Sequence, residues 1–222
     1  MLVVNPAYDM VTEAWFDPDY WGSSARPVAT GGRGSAWFIE TKQGDLVLRH
    51  YRRGGLVARF SERSYLFTGK SGIRSCREFE LLRVLHGLGL PVPEPVAAWW
   101  QKQGGIWYHA AILIRRIEGA VPLPEAPDLA DDSLWRRVGR MIRRFHDAGL
   151  DHVDLNCDNI LVAGDRAYLI DFDRCKLKLS SRNQSVWQQR NLERLSRSME
   201  KRLPVGIQEN SWSALLTGYG QA

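Results

Sequence analysis

The stretch His152-Val-Asp-Leu-Asn-Cys-Asp-Asn-Ile-Leu-Val162, followed closely by Leu169-Ile-Asp-Phe-Asp173, decides how the rest of this chain is read. Asp154 and Asn159 lie five positions apart in a tight segment, and Asp171 follows the next apolar run. Phosphoryl transfer from ATP needs a carboxylate to orient and deprotonate an attacking hydroxyl, together with hard oxygen ligands for Mg²⁺. Asp154 fits the first role; Asn159 and Asp171 fit the second. A single HxD would mark no more than a turn. The ordered set H-x-D-x(4)-N plus D-F, placed after a helix and around a hairpin, is far harder to reach by chance.

Working outward, Leu134, Val138, Met141, Ile142 and Phe145 recur at helical spacing, predicting a helix over about 132–147. Asp131, Asp132 or Ser133 can cap its start, and Gly149 its end. Short apolar runs around 160–162 and 168–170 flank Gly164-Asp165 and read as a hairpin. An amphipathic helix is predicted over about 185–202. Arg190, Arg194, Arg197 and Lys201 form a basic stripe on it, with Leu192, Leu195 and Met199 on another face.

The first half is mostly strand. Thr30-Gly-Gly-Arg-Gly-Ser-Ala-Trp-Phe-Ile39 is a glycine-rich turn entering a strand, and Asp45–Tyr51 follows a Gln43-Gly44 turn as its hairpin partner. Leu81, Leu82 and Leu85 mark a helix over about 74–87, ended by Gly87 or Gly89. Pro91, Pro93 and Pro95 force an extended passage before two further strands, 96–100 and 106–114. A Pro-rich linker, 121–128, follows. The opening segment, with Trp15, Phe16, Tyr20 and Trp21, reads as a flap packed on the domain. The border between the two halves falls near 115–120.

The chain has 222 residues, with hydrophobic content of 44% and charged content of 25%, ordinary values for a folded domain. No apolar run approaches the roughly 18–20 residues that span a bilayer, and the N-terminus lacks a secretory pattern; a cytoplasmic chain is expected. Cys76, Cys157 and Cys175 are too widely spaced for a CxxC or metal cluster and read as buried or half-buried thiols without redox work. The net charge of +5 suits phosphorylated ligands, nucleic acid or an anionic membrane. With no helix-turn-helix, zinc or RNP-type motif, nucleic acid is not expected as a partner.

The 152–173 stretch resembles the catalytic loop and metal-binding segment of the protein-kinase-like superfamily. Its HxDLNxxNIL form is closer to kinases of sugars, choline and aminoglycosides than to protein kinases, and Asp173 stands where those carry a glycine. The resemblance implies an α+β, protein-kinase-like bilobal fold: residues 1–116 as an antiparallel-sheet lobe with one helix, and 117–222 as a mainly helical lobe. It implies a glycine-rich loop over the ATP phosphates from Gly31, Gly32 and Gly34. It also implies a cation on the third strand, where Arg49 stands in place of the usual lysine, with His50 and Arg52 as fallbacks. Glu78 shares the apolar face of its helix and is the expected partner of Arg49; Glu80 points elsewhere and is expected in solvent. Ile114–Gly119 occupies the place of the adenine-binding hinge. His152 is expected to stabilise the loop, and His146 to be structural.

No APE-like segment follows Asp171, so the expected acceptor is a small molecule or a lipid headgroup. More specific stretches are Gly32-Arg-Gly-Ser-Ala-Trp-Phe38, Leu46-Val-Leu-Arg-His-Tyr-Arg-Arg-Gly-Gly55, Arg77-Glu-Phe-Glu-Leu-Leu82, Gly89-Leu-Pro-Val-Pro-Glu-Pro95 and Asn191-Leu-Glu-Arg-Leu-Ser-Arg-Ser198. With His152-Val-Asp-Leu-Asn156 they resemble the 3-deoxy-D-manno-octulosonic acid (Kdo) kinase family. That resemblance implies transfer of the ATP γ-phosphate, with Mg²⁺, to the 4-hydroxyl of Kdo on Kdo–lipid A. It also implies peripheral attachment to the cytoplasmic face of the inner membrane, where the basic stripe would meet anionic lipid. The rival readings are a kinase of another sugar, such as a core heptose, and a pseudokinase binding module.

Overall fold

The computed structural model describes residues 1–28, 36–51, 65–66, 72–103, 107–178 and 184–220. These form two compact units, Met1–Arg83 with Pro93–Arg116, and Val84–Val92 with Ile117–Ala222.

The first unit is built on an antiparallel sheet of β1 (Leu2–Val4), β2 (Ala25–Pro27), β3 (Ala36–Ile39), β4 (Leu46–His50), β5 (Tyr65–Leu66), β6 (Pro95–Gln103) and β7 (Trp107–Arg115). Their order is β1-β6-β7-β4-β3-β2, with β5 also paired to β7. The β3–β4 hairpin turns at Gly44, whose φ of 105° is a left-handed backbone that suits glycine. Alternation along β4 sends Leu46 and Leu48 into the core and turns Arg49 to the opposite face. Val11, Phe16, Ile39, Val96, Ala111 and Leu113 complete that core, with Trp15, Trp21 and Trp99 packed on it. The aromatic N-terminus is therefore a lid on one sheet face, as its composition predicts. Its β1, which pairs Leu2 with Trp99, carries no separate signal in sequence.

Helix α1 (Arg74–Gly87) follows the predicted span and buries Phe79, Leu82 and Leu85.

The second unit contains β8 (Val121–Pro122), α2 (Asp132–Asp147), β9 (Leu150–Asp151), β10 (Ile160–Ala163), β11 (Arg166–Leu169), β12 (Lys176–Leu177), α3 (Gln184–Arg202) and α4 (Gln208–Tyr219). Asp131 caps α2, its carboxylate accepting from the Ser133 backbone N–H at 2.8 Å. β10 and β11 form the expected hairpin, and β8 adds to its other edge. The two-residue β8, β9 and β12 are too short for periodicity to announce them. Helix α4 is a larger omission: its buried side is Ser211, Ala214, Leu215 and Tyr219, too polar and small to read as an apolar stripe.

Candidate active site

In the second unit, His152 begins the segment that carries the predicted acidic residues. Its Nε2–H donates to the Ile170 carbonyl at 3.0 Å, and its ring packs edge-on to Phe172. Burial holds its pKa below the ordinary histidine value. A neutral imidazole already committed to a backbone carbonyl fastens the loop to the residues before Asp171; it does not carry protons.

The loop then turns through Asn156, whose side-chain oxygen accepts from the Asn159 backbone N–H at 3.0 Å. Asn159 Nδ2 donates to the Asp154 carbonyl at 2.9 Å. With its nitrogen so engaged, the amide presents Oδ1 as a hard acceptor. The Ile170 N–H donates to the Asn159 carbonyl at 3.0 Å, which sets Asp171 beside Asn159. Asp171 has φ 65°, the single non-glycine residue at positive φ among those described. An aspartate held in the left-handed region marks a place where the fold over-determines a side-chain direction. Asp154, Asn159 and Asp171 are thus brought together by three short connections. Asp154 is exposed. Two side-chain oxygens from Asn159 and Asp171 fit Mg²⁺, which keeps several waters and binds through one or two protein oxygens plus phosphates.

In the first unit, Arg49 Nη2 donates to both oxygens of Glu78 at 2.5 Å. Glu78 is 3% exposed and Arg49 26%. Tyr51 OH also donates to Glu78, and its ring lies 5.2 Å from the Arg49 guanidinium carbon. Burial pushes the Tyr51 hydroxyl pKa well up, so it stays a donor. No sequence signal singles out Tyr51, because a tyrosine just past a strand end has no periodicity to fix its direction. Glu80 lies in solvent, paired to Arg83 at 2.9 Å. His50, a fallback cation, bonds instead to the Phe16 carbonyl at 2.8 Å. Gly31, Gly32, Gly34 and Arg52 lie outside the described residues. In the hinge segment, Arg116 stacks on Phe38 at 4.0 Å and pairs with Asp45 at 3.4 Å, while Glu118 is exposed.

The model of the lipopolysaccharide kinase (Kdo/WaaP) family matches residues 18–219. The chain belongs to the lipopolysaccharide kinase (Kdo/WaaP) family. A relative, the 3-deoxy-D-manno-octulosonic acid kinase of Stenotrophomonas maltophilia (strain K279a), is 50% identical over 188 residues, 84% of this chain and 74% of that protein. Among solved structures, WaaP in complex with acyl carrier protein aligns with TM-score 0.62 at 16% identity, covering 100% of this chain and 89% of that one. An aminoglycoside-3'-phosphotransferase of type VIII aligns with TM-score 0.63 at 15% identity, covering 98% and 92%. At such identities these structures speak for the fold alone: it is α+β and protein-kinase-like. As a member of the Kdo/WaaP family, the chain is a phosphotransferase with an alcohol group as acceptor.

The Kdo/WaaP kinase also holds contacts that the periodicity of α3 leaves unread. Arg190, placed in the basic stripe by spacing, reaches Asp151 at 3.1 Å. Asp151 is buried and also takes Lys178 at 2.6 Å and Asn191 Nδ2 at 3.2 Å. Part of the stripe therefore pairs with the loop while still exposed to solvent. Cys157 is buried and its thiol pKa is pushed up to about 11 by desolvation, consistent with an inert thiol inside the motif.

Proposed function

We propose that this kinase transfers the γ-phosphate of ATP to the 4-hydroxyl of a Kdo residue on Kdo–lipid A, in assembly of the lipopolysaccharide core. The observation that carries this reading is the 50% identity, over most of the chain, with a 3-deoxy-D-manno-octulosonic acid kinase. In this reading Asp154 is the base. It takes the proton of the 4-hydroxyl as that oxygen bonds to the γ-phosphorus; the bond to the β–γ bridging oxygen breaks and ADP leaves with its electron pair. Asn159 and Asp171 would hold Mg²⁺, which would supply charge neutralisation at the phosphates. Arg49, aimed by Glu78 and Tyr51, takes a phosphate oxygen of ATP; Gly31, Gly32 and Gly34 cover the phosphates. An arginine in the strand position offers a planar fork where lysine offers a point charge.

The test is an assay of the purified protein with ATP, Mg²⁺ and Kdo–lipid A beside heptose-containing acceptors, with the product identified by mass spectrometry. Phosphate is expected on Kdo; phosphate on heptose alone would sink the assignment. Asp154→Asn is expected to lower turnover by about 10²–10⁴-fold with ATP binding retained, and an unimpaired variant would remove Asp154 from the mechanism.

The acceptor is a membrane lipid, so the enzyme acts at the cytoplasmic face of the inner membrane as a peripheral protein. No helix among the described residues is long and apolar enough to cross a membrane. Arg197 and Lys201 of α3 are exposed. Vesicles containing anionic lipid are expected to retain the protein at low salt and release it as ionic strength rises; binding indifferent to both would contradict the electrostatic attachment.

A further inference from the structure

Helix α3 runs beside the catalytic segment and touches it at nearly every turn. Arg190 and Asn191 meet Asp151. Ser198 Oγ accepts from the Cys157 backbone N–H at 3.0 Å. Arg202 donates to Asp158 Oδ1 from Nη2 at 2.8 Å and from Nε at 3.1 Å. These contacts lie before and after Arg194 and set the register of the helix along the loop.

Arg194 differs from its neighbours on the helix. Its Nη1 stands 3.8 Å from Asp154 Oδ1, beyond hydrogen-bonding distance. The two side chains are 44% and 58% exposed. Among the described residues no other carboxylate pairs with Arg194. A partly exposed guanidinium therefore stands next to the proposed base without a hydrogen bond to it.

The chemistry of the proposed acceptor says what such a donor set would take. A 3-deoxy-octulosonic acid carries a carboxylate at C1, attached to the anomeric C2, and no oxygen at C3. The 4-hydroxyl is consequently the first ring hydroxyl from the carboxylate end, and both groups stand on one edge of the sugar. Bringing that hydroxyl to Asp154 also brings a second negative charge close to the Asp154 carboxylate, a repulsion that an adjacent cation offsets. The planar fork of arginine matches a carboxylate through two parallel hydrogen bonds.

We infer that Arg194 is the residue that binds the acceptor's carboxylate, and that by doing so it selects the 4-hydroxyl for phosphorylation. This rests on the Kdo reading above. It makes Arg194 a specificity-determining residue: an acceptor lacking the acid has nothing to hold its hydroxyl at Asp154.

Wild type, Arg194→Gln and Arg194→Lys should be assayed on Kdo–lipid A and on the same acceptor with its Kdo carboxyl converted to the methyl ester. Wild type is expected to prefer the free acid by about ten- to hundredfold in kcat/KM, the worth of a charge-assisted pair. Arg194→Gln is expected to lose that preference through a raised acceptor KM, with the KM for ATP unchanged. Arg194→Lys is expected to recover part of it, having the charge without the fork. A glutamine variant that still prefers the free acid as strongly as wild type overturns the inference. So does a loss falling equally on acid and ester, which is what a merely structural role would give. If Arg194→Gln loses its cooperative thermal transition, Arg194→Lys carries the test, and an undiminished preference there overturns the inference. A wild-type enzyme that phosphorylates only other sugars removes the Kdo reading itself, a failure distinguishable from the first because it appears before any variant is made.

Discussion

The carboxylate at position 78 is the meeting point of two donors in the first unit. Glu78 is almost fully buried, and Arg49 and Tyr51 donate to it from one end of β4. Helical spacing was enough to place Glu78 on the inward face of α1, since Leu81, Leu82 and Leu85 define that face. The strand period was enough to turn Arg49 away from Leu48. Glu78→Gln keeps the shape and removes the charge, leaving Arg49 half-buried opposite a neutral amide. The expected cost is about 3–5 kcal/mol of stability, read as a shift in urea midpoint. A loss under about 1 kcal/mol would mean that the pair is solvated like an ordinary surface bridge.

Among whole elements, the α2–α4 contact is set by glycine. A Cβ added at Gly139 would meet the Leu215 carbonyl oxygen at 2.0 Å and the Tyr219 nitrogen at 2.7 Å. One at Gly218 would meet the Arg136 carbonyl oxygen at 2.2 Å. The helices cross backbone to backbone, and the atoms in the way belong to main chain that cannot rotate aside. Gly139→Ala is expected to destabilise by about 1–3 kcal/mol despite alanine's better helix propensity. Gly87→Ala, in α1 with nothing within 4 Å of the added carbon, is expected to be neutral or to gain up to about 1 kcal/mol. Equal denaturant midpoints for the two variants would show that α4 yields. Small residues at a crossing leave no apolar stripe, and that is why α4 escapes a reading based on periodicity while α2, with six large apolar side chains, does not.

For the molecule as a whole, pH acts through two buried histidines. His146 Nδ1 lies 2.7 Å from the Tyr219 hydroxyl, and its ring meets Trp187 and Tyr219 edge-on. Desolvation lowers its pKa from 6.5 to about 4. His152 is shifted the same way by burial. Above about pH 6.5 both folded and unfolded chains carry neutral His146, and its contribution to stability is complete. Below that the unfolded chain takes up the proton first, so stability falls as pH drops toward 4, by about 3 kcal/mol for a shift of this size. Denaturant midpoints are expected to fall between pH 7.5 and pH 5, and His146→Gln is expected to flatten that slope. An unchanged slope in the variant would place the titration elsewhere.

Asp154, Asn159 and Asp171 could be singled out from sequence because their order is local. One short segment carries the proposed base and the proposed oxygen ligands, and the β10–β11 hairpin separates Asn159 from Asp171. The same holds for the sheet-rich first half and the helical second half, whose periods of two and 3.6 residues are written in runs of ten or so positions. Contacts between distant segments were not legible. Arg190 with Asp151, Ser198 with Cys157 and Arg202 with Asp158 span 39, 41 and 44 residues. Periodicity tells which side of α3 is polar, but not which polar groups it will face. Only packing of the chain turned that side toward the loop and set Arg194 beside Asp154.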